Sequence, residues 1–488
     1  MNSRRCLIFI YGSLFLTAAN GNIADSLEYR LMAGGVTGGG EHAPLWITSK
    51  RDGLLNINRN QLFLTAGIFL PVTHKGAWSY DGGVELFTSG NGTGPFLIRQ
   101  AYADVRYKNL ELSVGSKIRP DEFRNVALSS GGLSFSGNAL PIPEVRLGLA
   151  DYWNIPGLRN WLGVKGYLSY GIFTDGNWQE TFTGGKSQYV KHALFHSKAL
   201  YLRVGNERVF PLTLDLGLDM PARFSGTYYR PGKEPIKIPH RLKDFWNMLV
   251  PVKGDAQTLS IDHENILGDV LGRWNFTLNY RENDWYAKVY LEHQFNDHSQ
   301  LFWQYGWKDG LYGVEVGLPS NNFLSSVVYE YLYSKDQTGP VYHDSDKKVP
   351  DQISGDDDYY NHGVYSGWQH WGMALGNPLF VSPIYNANGS LFFRSNRIIA
   401  HHIGLSGNPT RGLSYRLLCS YTRHWGTYNN PLDEILYNWN FLGEVVYSPH
   451  RLRGWTFTMS LAGDRSDYIG NSIGGMLTVA YRGRLLGR

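Results

Sequence analysis

Apolar and polar side chains alternate along this chain in segments of nine to eleven residues, and no other feature of the sequence constrains the fold as strongly. Residues 209–219 and 284–294 are examples, and similar patterns recur near 269–281 and 455–464. The apolar face of the first segment consists of Phe210, Leu212, Leu214, Leu216 and Leu218. Its opposite face carries Asp215 and Asp219. Alternation of this length predicts strands that cross an outer membrane at a tilt, with one face in lipid and the other in a polar lumen.

Because an unpaired strand edge cannot be satisfied in lipid, these strands are expected to close into an antiparallel, all-β transmembrane barrel. Strands of a secreted β-sandwich, the soluble alternative, are usually nearer 5–6 residues long. The chain length allows roughly 16–20 strands, and bacterial barrels of one chain have an even number. Aromatic residues at strand ends, such as Trp274, Tyr280, Trp285 and Trp455, are typical of the two membrane interfaces.

Composition agrees with a barrel and excludes a helical membrane protein. Gly accounts for 57 of 488 residues and aromatic residues for 14%, yet the mean hydropathy is only −0.30. A membrane-spanning helix needs about 20 consecutive apolar residues. The uncharged stretch 372–393 contains Pro378, Pro383 and three Asn residues, so it is not such a helix.

The first residues are typical of a removable export signal. Arg4 and Arg5 precede the uncharged run 6–19, and Ala19-Asn20-Gly21 is a plausible cleavage site. We therefore expect a leader over 1–21 and one barrel domain over 22–488. Removal of two Arg and no acid lowers the net charge from +4 to +2, which gives no electrostatic basis for nucleic acid binding.

Two long connections interrupt the strand pattern. In the first, near 227–262, the apolar residues of 242–250 recur at helical spacing and predict a short amphipathic helix. We assign this segment as a plug of the lumen; a position at the membrane surface or as a cap on the barrel rim is the alternative. The second connection, near 335–395, is rich in Gly, Asn and Tyr, and loops of that length are usually functional or disordered.

The second connection contains the candidate binding residues. Aromatic faces stack on sugar rings, while Asp and Asn exchange hydrogen bonds with hydroxyl groups, so a mixture of the two is typical of glycan-binding surfaces. The predicted polysaccharide-binding residues are Asp356, Asp357, Asp358, Tyr359, Tyr360, Tyr365, Trp368, His370, Trp371 and Asn377. Packing of this loop against the barrel mouth explains the same composition. The three Asp residues could also bind Ca²⁺, but they lack EF-hand spacing, so we predict no metal site.

No catalytic residue is predicted. Residues 470–474 match the GxSxG pattern of serine hydrolases, but no Asp or His follows that Ser in the chain. Glu330 and Asp336 could form a glycosidase pair only if their carboxyl groups lie about 5–9 Å apart, which the sequence does not show.

Several segments resemble the capsule assembly Wzi family in its Bacteroides-like form. The most specific is DDDYYNHGVYSGWQHWGMALGNPL at 356–379. Supporting segments are HSKALYLRVG (196–205), HQFNDHSQL (293–301), DGLYGVEV (309–316), YEYLYSKDQTGP (329–340) and RIIAHHIGLSG (397–407). The resemblance implies an outer-membrane barrel of about 18 strands with helical segments in its lumen.

The same resemblance implies a function. Members of this family attach capsular polysaccharide to the cell surface in a lectin-like manner and are not enzymes, so no cofactor and no nucleic acid partner are expected. The partners would be capsular polysaccharide and the lipid of the cell outer membrane. Two other functions stay open at this point: a porin or sugar channel, and an outer-membrane hydrolase.

Overall fold

The computed structural model describes residues 26–94, 96–239, 241–249, 268–296, 308–337 and 357–485. The predicted leader over 1–21 lies outside these ranges. The described residues form a closed antiparallel barrel of 18 strands, as the sequence predicted. The first and last strands pair from Glu28↔Arg484 to Gly40↔Ser472, which removes both free edges.

The barrel strands are numbered in chain order. They are β1 Glu28–Gly40, β2 Gln61–Lys75, β3 Trp78–Gly90, β4 Leu97–Tyr107, β5 Leu110–Ser116, β6 Glu144–Leu149, β7 Leu162–Ile172, β8 Leu194–Val204, β9 Leu212–Phe224, β10 Gly272–Arg281, β11 Tyr286–Phe295, β12 Gly310–Gly317, β13 Ser326–Tyr333, β14 Arg397–Thr410, β15 Leu413–Gly426, β16 Pro431–Tyr447, β17 Trp455–Ser466 and β18 Ser472–Arg484. Two short ladders, Trp153–Asn154 and Asp269–Val270, extend the sheet at β7 and β9.

Short elements lie in the connections between the strands. In the described ranges the helices are α1 Leu45–Thr48, α2 Gly176–Thr183 and α3 Leu242–Leu249. Among the described residues, no helix is both long enough and apolar enough to cross a membrane. The part of the chain that the structure describes also contains two 3₁₀ turns, Pro378–Phe380 and Pro383–Tyr385. It contains three small sheets as well: Tyr189–Lys191 with Gly226–Arg230 and Lys233–Ile238; Asn361–His362 with Ser366–Gly367; Gln369–His370 with Met373–Ala374.

Each strand faces lipid with one side and the lumen with the other. In β2, Leu62, Leu64 and Ile68 are 72%, 48% and 50% exposed, whereas Gln61 and Thr65 on the opposite face are buried. An apolar outside around a polar inside is the reverse of a water-soluble protein and is what a bilayer requires. The protein is an outer-membrane barrel.

The two ends of the barrel differ. Turns of two residues join β2 to β3, β4 to β5 and β14 to β15, and the start of β1 and the end of β18 lie at this end. Aromatic pairs surround it, with ring centroids 4.8 Å apart in Trp78–Tyr107 and 5.1 Å apart in Trp455–Tyr481. The long connections all leave the opposite end. Because outer-membrane barrels have short periplasmic turns and longer extracellular loops, that opposite end faces the outside of the cell.

Long connections fold back into the lumen and form a plug. Residues 41–60, 117–143, 173–193 and 357–396 contribute to one apolar core, which contains Trp46, Leu133, Phe173, Trp368, Phe380 and Phe393. Polar bonds attach this core to the inner wall on several sides of the barrel. The Trp46 indole donates to Ser420 in β15 at 3.2 Å, and the Leu45 amide donates to Asp464 in β17 at 2.8 Å.

The helix predicted in segment 227–262 is present as α3, but it lies outside the lumen. Its residue Phe245 packs on Tyr170 and Phe224, which face outward from β7 and β9. Tyr228 and Ile238 of the same segment belong instead to the apolar core of the plug. The assignment of a plug segment near 227–262 stays a prediction. The helical spacing of apolar residues predicts an amphipathic helix, but it does not predict which surface the apolar face of that helix covers.

Candidate functional site

The predicted binding residues lie mainly in the interior of the plug. Asp356 lies outside the described residues, while Asp357, Asp358 and Trp371 are half-buried. The remaining members are each at most 6% exposed: Tyr359, Tyr360, Tyr365, Trp368, His370 and Asn377. The structure thus brings these residues together, but most of them face other protein groups. Ligand binding by this set stays a prediction, with Trp371 its most accessible aromatic member.

Tyr360 and Asn377 connect two separate segments of the plug. The Tyr360 hydroxyl donates to the carbonyl of Leu133 and accepts from the Asn377 amide at 3.1 Å. The Asn377 side chain donates to the carbonyl of Gly131 at 2.6 Å. Burial raises the pKa of Tyr360, so the phenol stays protonated and able to donate. Both residues therefore hold 357–377 against 131–133.

The acidic residues of the same segment are bonded within the protein. The Asp358 carboxylate accepts from the side-chain amides of Asn361 and Asn396. Burial raises its pKa, because the ionised form loses water there. Asp357 accepts through its backbone carbonyl from Arg397 at 3.0 Å. Within the part of the chain that the structure describes, no group of three or more His, Cys, Asp or Glu side chains is arranged to hold a metal ion.

A partly exposed aromatic surface does exist on the plug, around α2. Trp178 and Phe182 are four residues apart on this helix, and their rings stack with centroids 4.8 Å apart and planes 14° from parallel. The Trp178 indole also lies against Gly372, where an added Cβ would be 2.4 Å from the ring. Trp371 immediately precedes that glycine. We call Trp178, Phe182 and Trp371 the plug platform; all three are half-buried.

Asp175 fixes the two parts of the plug platform relative to each other. It is fully buried at the start of α2. One carboxylate oxygen accepts from Gln179 at 2.9 Å, and the other accepts from Gln369 at 3.2 Å and from the Trp371 amide at 3.0 Å. At its other end, α2 is terminated by Gly184, whose φ of 55° suits a residue without Cβ. Both aromatic partners are thus positioned before any ligand binds.

Chemically, the plug platform presents flat apolar rings beside polar groups. Asn177, Glu180 and Thr181 are exposed on the same short helix. Stacking needs a ring face, and sugar hydroxyls need donors and acceptors nearby, so this combination suits a saccharide. Our sequence reasoning identified Trp371 but missed Trp178 and Phe182. The available signal was an aromatic pair at i, i+4 within the polar connection between two strands.

Below the plug, the lumen contains a cavity of about 370 Å³ lined largely by residues of β4–β8 and 117–143, many of them charged. Its cations are paired: Lys165 with Glu122 at 2.6 Å and Arg119 with Glu144 at 3.2 Å. Arg146 lies 3.3 Å from the centre of the Tyr167 ring. Acidic and basic side chains therefore lie in pairs on the wall of this cavity.

Glu330, one member of the imagined glycosidase pair, is 1% exposed. Its carboxylate accepts from the Ser130 amide at 2.7 Å and from the hydroxyls of Ser129, Ser130 and Tyr290 at 2.5 Å each. Asp336 instead accepts from Tyr333 at 2.9 Å. The Glu330 oxygens are therefore occupied in attaching Ser129 and Ser130 of the plug to β13 and in bonding β13 to Tyr290 of β11.

No protein-family model and no curated protein sequence matches this chain. Among solved structures, it is similar to Wzi of Escherichia coli, an outer membrane protein involved in group 1 capsule assembly and a carbohydrate-binding β-barrel. That similarity has 13% identity and a TM-score of 0.55, and covers 96% of this chain and 88% of the other. It shows a shared barrel fold.

Two porin structures of Pseudomonas aeruginosa are also similar. For OprD the identity is 11% and the TM-score 0.45, with 95% of this chain and 96% of the other covered. For OccK3 (OpdO) the identity is 12% and the TM-score 0.47, and the similarity covers 95% of this chain and 97% of the other.

Proposed function

We propose that this protein is a lectin-like platform that attaches or assembles capsular polysaccharide at the cell surface. The observation that carries the proposal is the plug platform: half-exposed rings held in fixed relative positions on the extracellular side of a packed plug. The carbohydrate-binding barrel Wzi, whose fold this chain shares, supports the same function. On this proposal the protein has no catalytic activity and binds no nucleic acid.

The alternative function, a porin or sugar channel, needs a continuous path through the lumen. The packing of Leu133, Trp368 and Phe393 in one core favours a platform over a channel, because a diffusion pathway would require these contacts to separate. A polymer with repeating units can engage many weak sites on many copies of the protein, so modest affinity at each site is enough for attachment.

The proposal is tested by binding of capsular polysaccharide, purified from the strain that produces the protein, to the full chain in detergent. We expect Trp178→Ala and Trp371→Ala each to weaken binding by about tenfold, since an aromatic contact contributes on the order of 1.4 kcal/mol. Trp285→Ala is the matched control, because Trp285 is 40% exposed at the opposite, periplasmic rim.

The outcomes separate the functions. Binding that is unchanged in both plug-platform variants refutes the assigned site, and a wild-type chain that binds no polysaccharide refutes the lectin function. Steady ion conductance of the purified protein in planar bilayers would favour the porin. In cells, deletion of the gene should release polymer into the medium, and complementation with the Trp178→Ala chain should fail to restore attachment.

A further inference from the structure

Helix α3 is attached to the outer wall of the barrel. Strands β7, β8 and β9 pair without a register shift, so alternate residues along each strand face lipid. In β8, Leu200 and Val204 are 52% and 43% exposed on the outer side, and Lys198 belongs to the same row. The Lys198 ammonium donates to the carbonyls of Met248 and Leu249, each at 2.7 Å. Contact with this row places α3 outside the barrel.

The Lys198 contact explains a charge on the lipid-facing side of a strand. A lysine facing lipid costs about 2–4 kcal/mol near the bilayer centre and less near the interface. The last carbonyls of a helix lack partners within the helix and carry partial negative charge. Each group therefore satisfies the other, and α3 is held near the extracellular ends of its neighbouring strands.

An apolar contact surface completes the attachment. Phe245 packs edge-on against Phe224 with ring centroids 5.3 Å apart, and the Tyr170 hydroxyl donates to the Phe245 carbonyl at 2.7 Å. Met248 is 3% exposed and belongs to a cluster with Met220 and Phe224 of the outer wall. One side of the helix is thus fully used by the barrel.

The other side of the helix is apolar and exposed. Leu242 and Trp246, one turn apart, are 90% and 64% exposed. Lys243 lies exposed beside them. A Leu–Trp pair presented to water would be unfavourable, since each large apolar side chain gains about 1.5–3 kcal/mol when it leaves water. On the outer wall of a membrane barrel, however, the exposed row that contains Leu200 is surrounded by lipid, and α3 lies on that wall.

We propose that α3 is an interfacial anchor whose exposed side is covered by the outer leaflet of the membrane. Leu242 and Trp246 enter the boundary between headgroups and acyl chains, where Trp is favoured, and Lys243 meets the anionic phosphate groups of the same lipids. The anchor extends the lipid-facing surface of the barrel beyond its strands. It would hold the loops that surround the plug at a fixed height above the membrane.

Site-directed spin labelling of the full chain tests the anchor. Labels are placed by Trp246→Cys or Leu242→Cys in a Cys419→Ala background, and the protein is reconstituted in vesicles of phosphatidylethanolamine and phosphatidylglycerol. At both positions we expect collisions with oxygen, which enters lipid, to exceed collisions with a water-soluble nickel chelate. Leu200→Cys on the lipid-facing row is the positive control, and Asn177→Cys on α2 is the aqueous control.

Nickel accessibility at position 246 equal to that at position 177 would overturn the proposal. Spin–spin broadening between labels on different molecules would assign the surface to a second copy of the chain and would overturn it as well. Lys198→Met tests the attachment separately. We expect the spin label at position 246 to become more mobile, while the barrel stays folded, as shown by a shift of its band in gel electrophoresis on heating. Unchanged mobility there would refute the role of Lys198.

Discussion

Replacing Glu330 tests how the plug is held in the barrel. This residue of β13 lies on the inner wall, and its carboxylate accepts four hydrogen bonds. Three of them come from Ser129 and Ser130, in the connection 117–143 that contributes Leu133 to the plug core. In Glu330→Ala all four donors lose their acceptor, and a cavity takes the place of the carboxylate.

The magnitude follows from the burial of these groups. A buried donor left without its partner costs about 1–3 kcal/mol. The three hydroxyls can turn toward other acceptors, whereas the Ser130 amide is fixed by the backbone. We therefore expect Glu330→Ala to destabilise the plug by about 3–5 kcal/mol, the usual range for breaking a buried charged network. Glu330→Gln keeps one acceptor oxygen and should lose about half as much.

Hydrogen–deuterium exchange of 117–143 measures this loss, because amides protected by the plug exchange through its opening. A loss of 3–5 kcal/mol corresponds to exchange that is roughly two to four orders of magnitude faster. Glu111→Gln is the control, since Glu111 is also a luminal carboxylate but is bonded to Arg106 near the periplasmic end. If exchange of 117–143 in Glu330→Ala matches that in the control, Glu330 does not hold the plug. If instead the unaltered chain cleaves the polysaccharide and Glu330→Gln does not, the hydrolase alternative is correct.

Three further predictions follow from single contacts. Burial lowers the pKa of His370 below its ordinary 6.5, so the unfolded segment binds the proton more tightly; the stability that this residue contributes is complete above about pH 6.5 and declines as the pH falls below it. The protection factors of 357–396, which correct for the slower intrinsic exchange at low pH, should therefore fall between pH 7.5 and 5.5, and less so in His370→Gln; an equal fall in the two chains would contradict this. Asp175→Asn should weaken polysaccharide binding severalfold while leaving heat-modifiable migration intact, because the Trp371 amide loses a charged acceptor; unchanged affinity would show that the plug platform needs no such support. Leu461→Lys, on a side chain 58% exposed to lipid, should lower unfolding free energy in vesicles by about 2–4 kcal/mol, whereas Glu434→Lys at the exposed extracellular rim should change it little.

Locally encoded features were the predictable ones. The polar and apolar faces of β9 follow from alternation alone, since Asp215 is buried and the preceding residue, Leu214, points outward. The helix at Leu242–Leu249 follows from the spacing of its apolar residues. Each of these patterns depends on side-chain direction within a single strand or helix, which the backbone period sets.

The positions of the connections were not predictable in this way. Tyr360 bonds with a residue 227 positions earlier in the chain, and no local pattern records that distance. The ring of Tyr360 packs against Phe380. The residues that flank such a buried ring in the sequence are of the same types as those that flank a ring stacked on a sugar. The sequence therefore predicted ligand binding or packing for the residues of 356–377 but did not distinguish plug core from ligand surface.

By itself, then, the sequence determined that the chain crosses the membrane as a barrel, because a strand in lipid must alternate between an apolar and a polar face. Only the tertiary structure decided what fills that barrel and what rests on its outer wall. Whether an amphipathic segment goes inside or outside depends on partners such as Lys198, which come from distant strands. Burial of Trp368 and exposure of Trp246 are consequences of those long-range contacts.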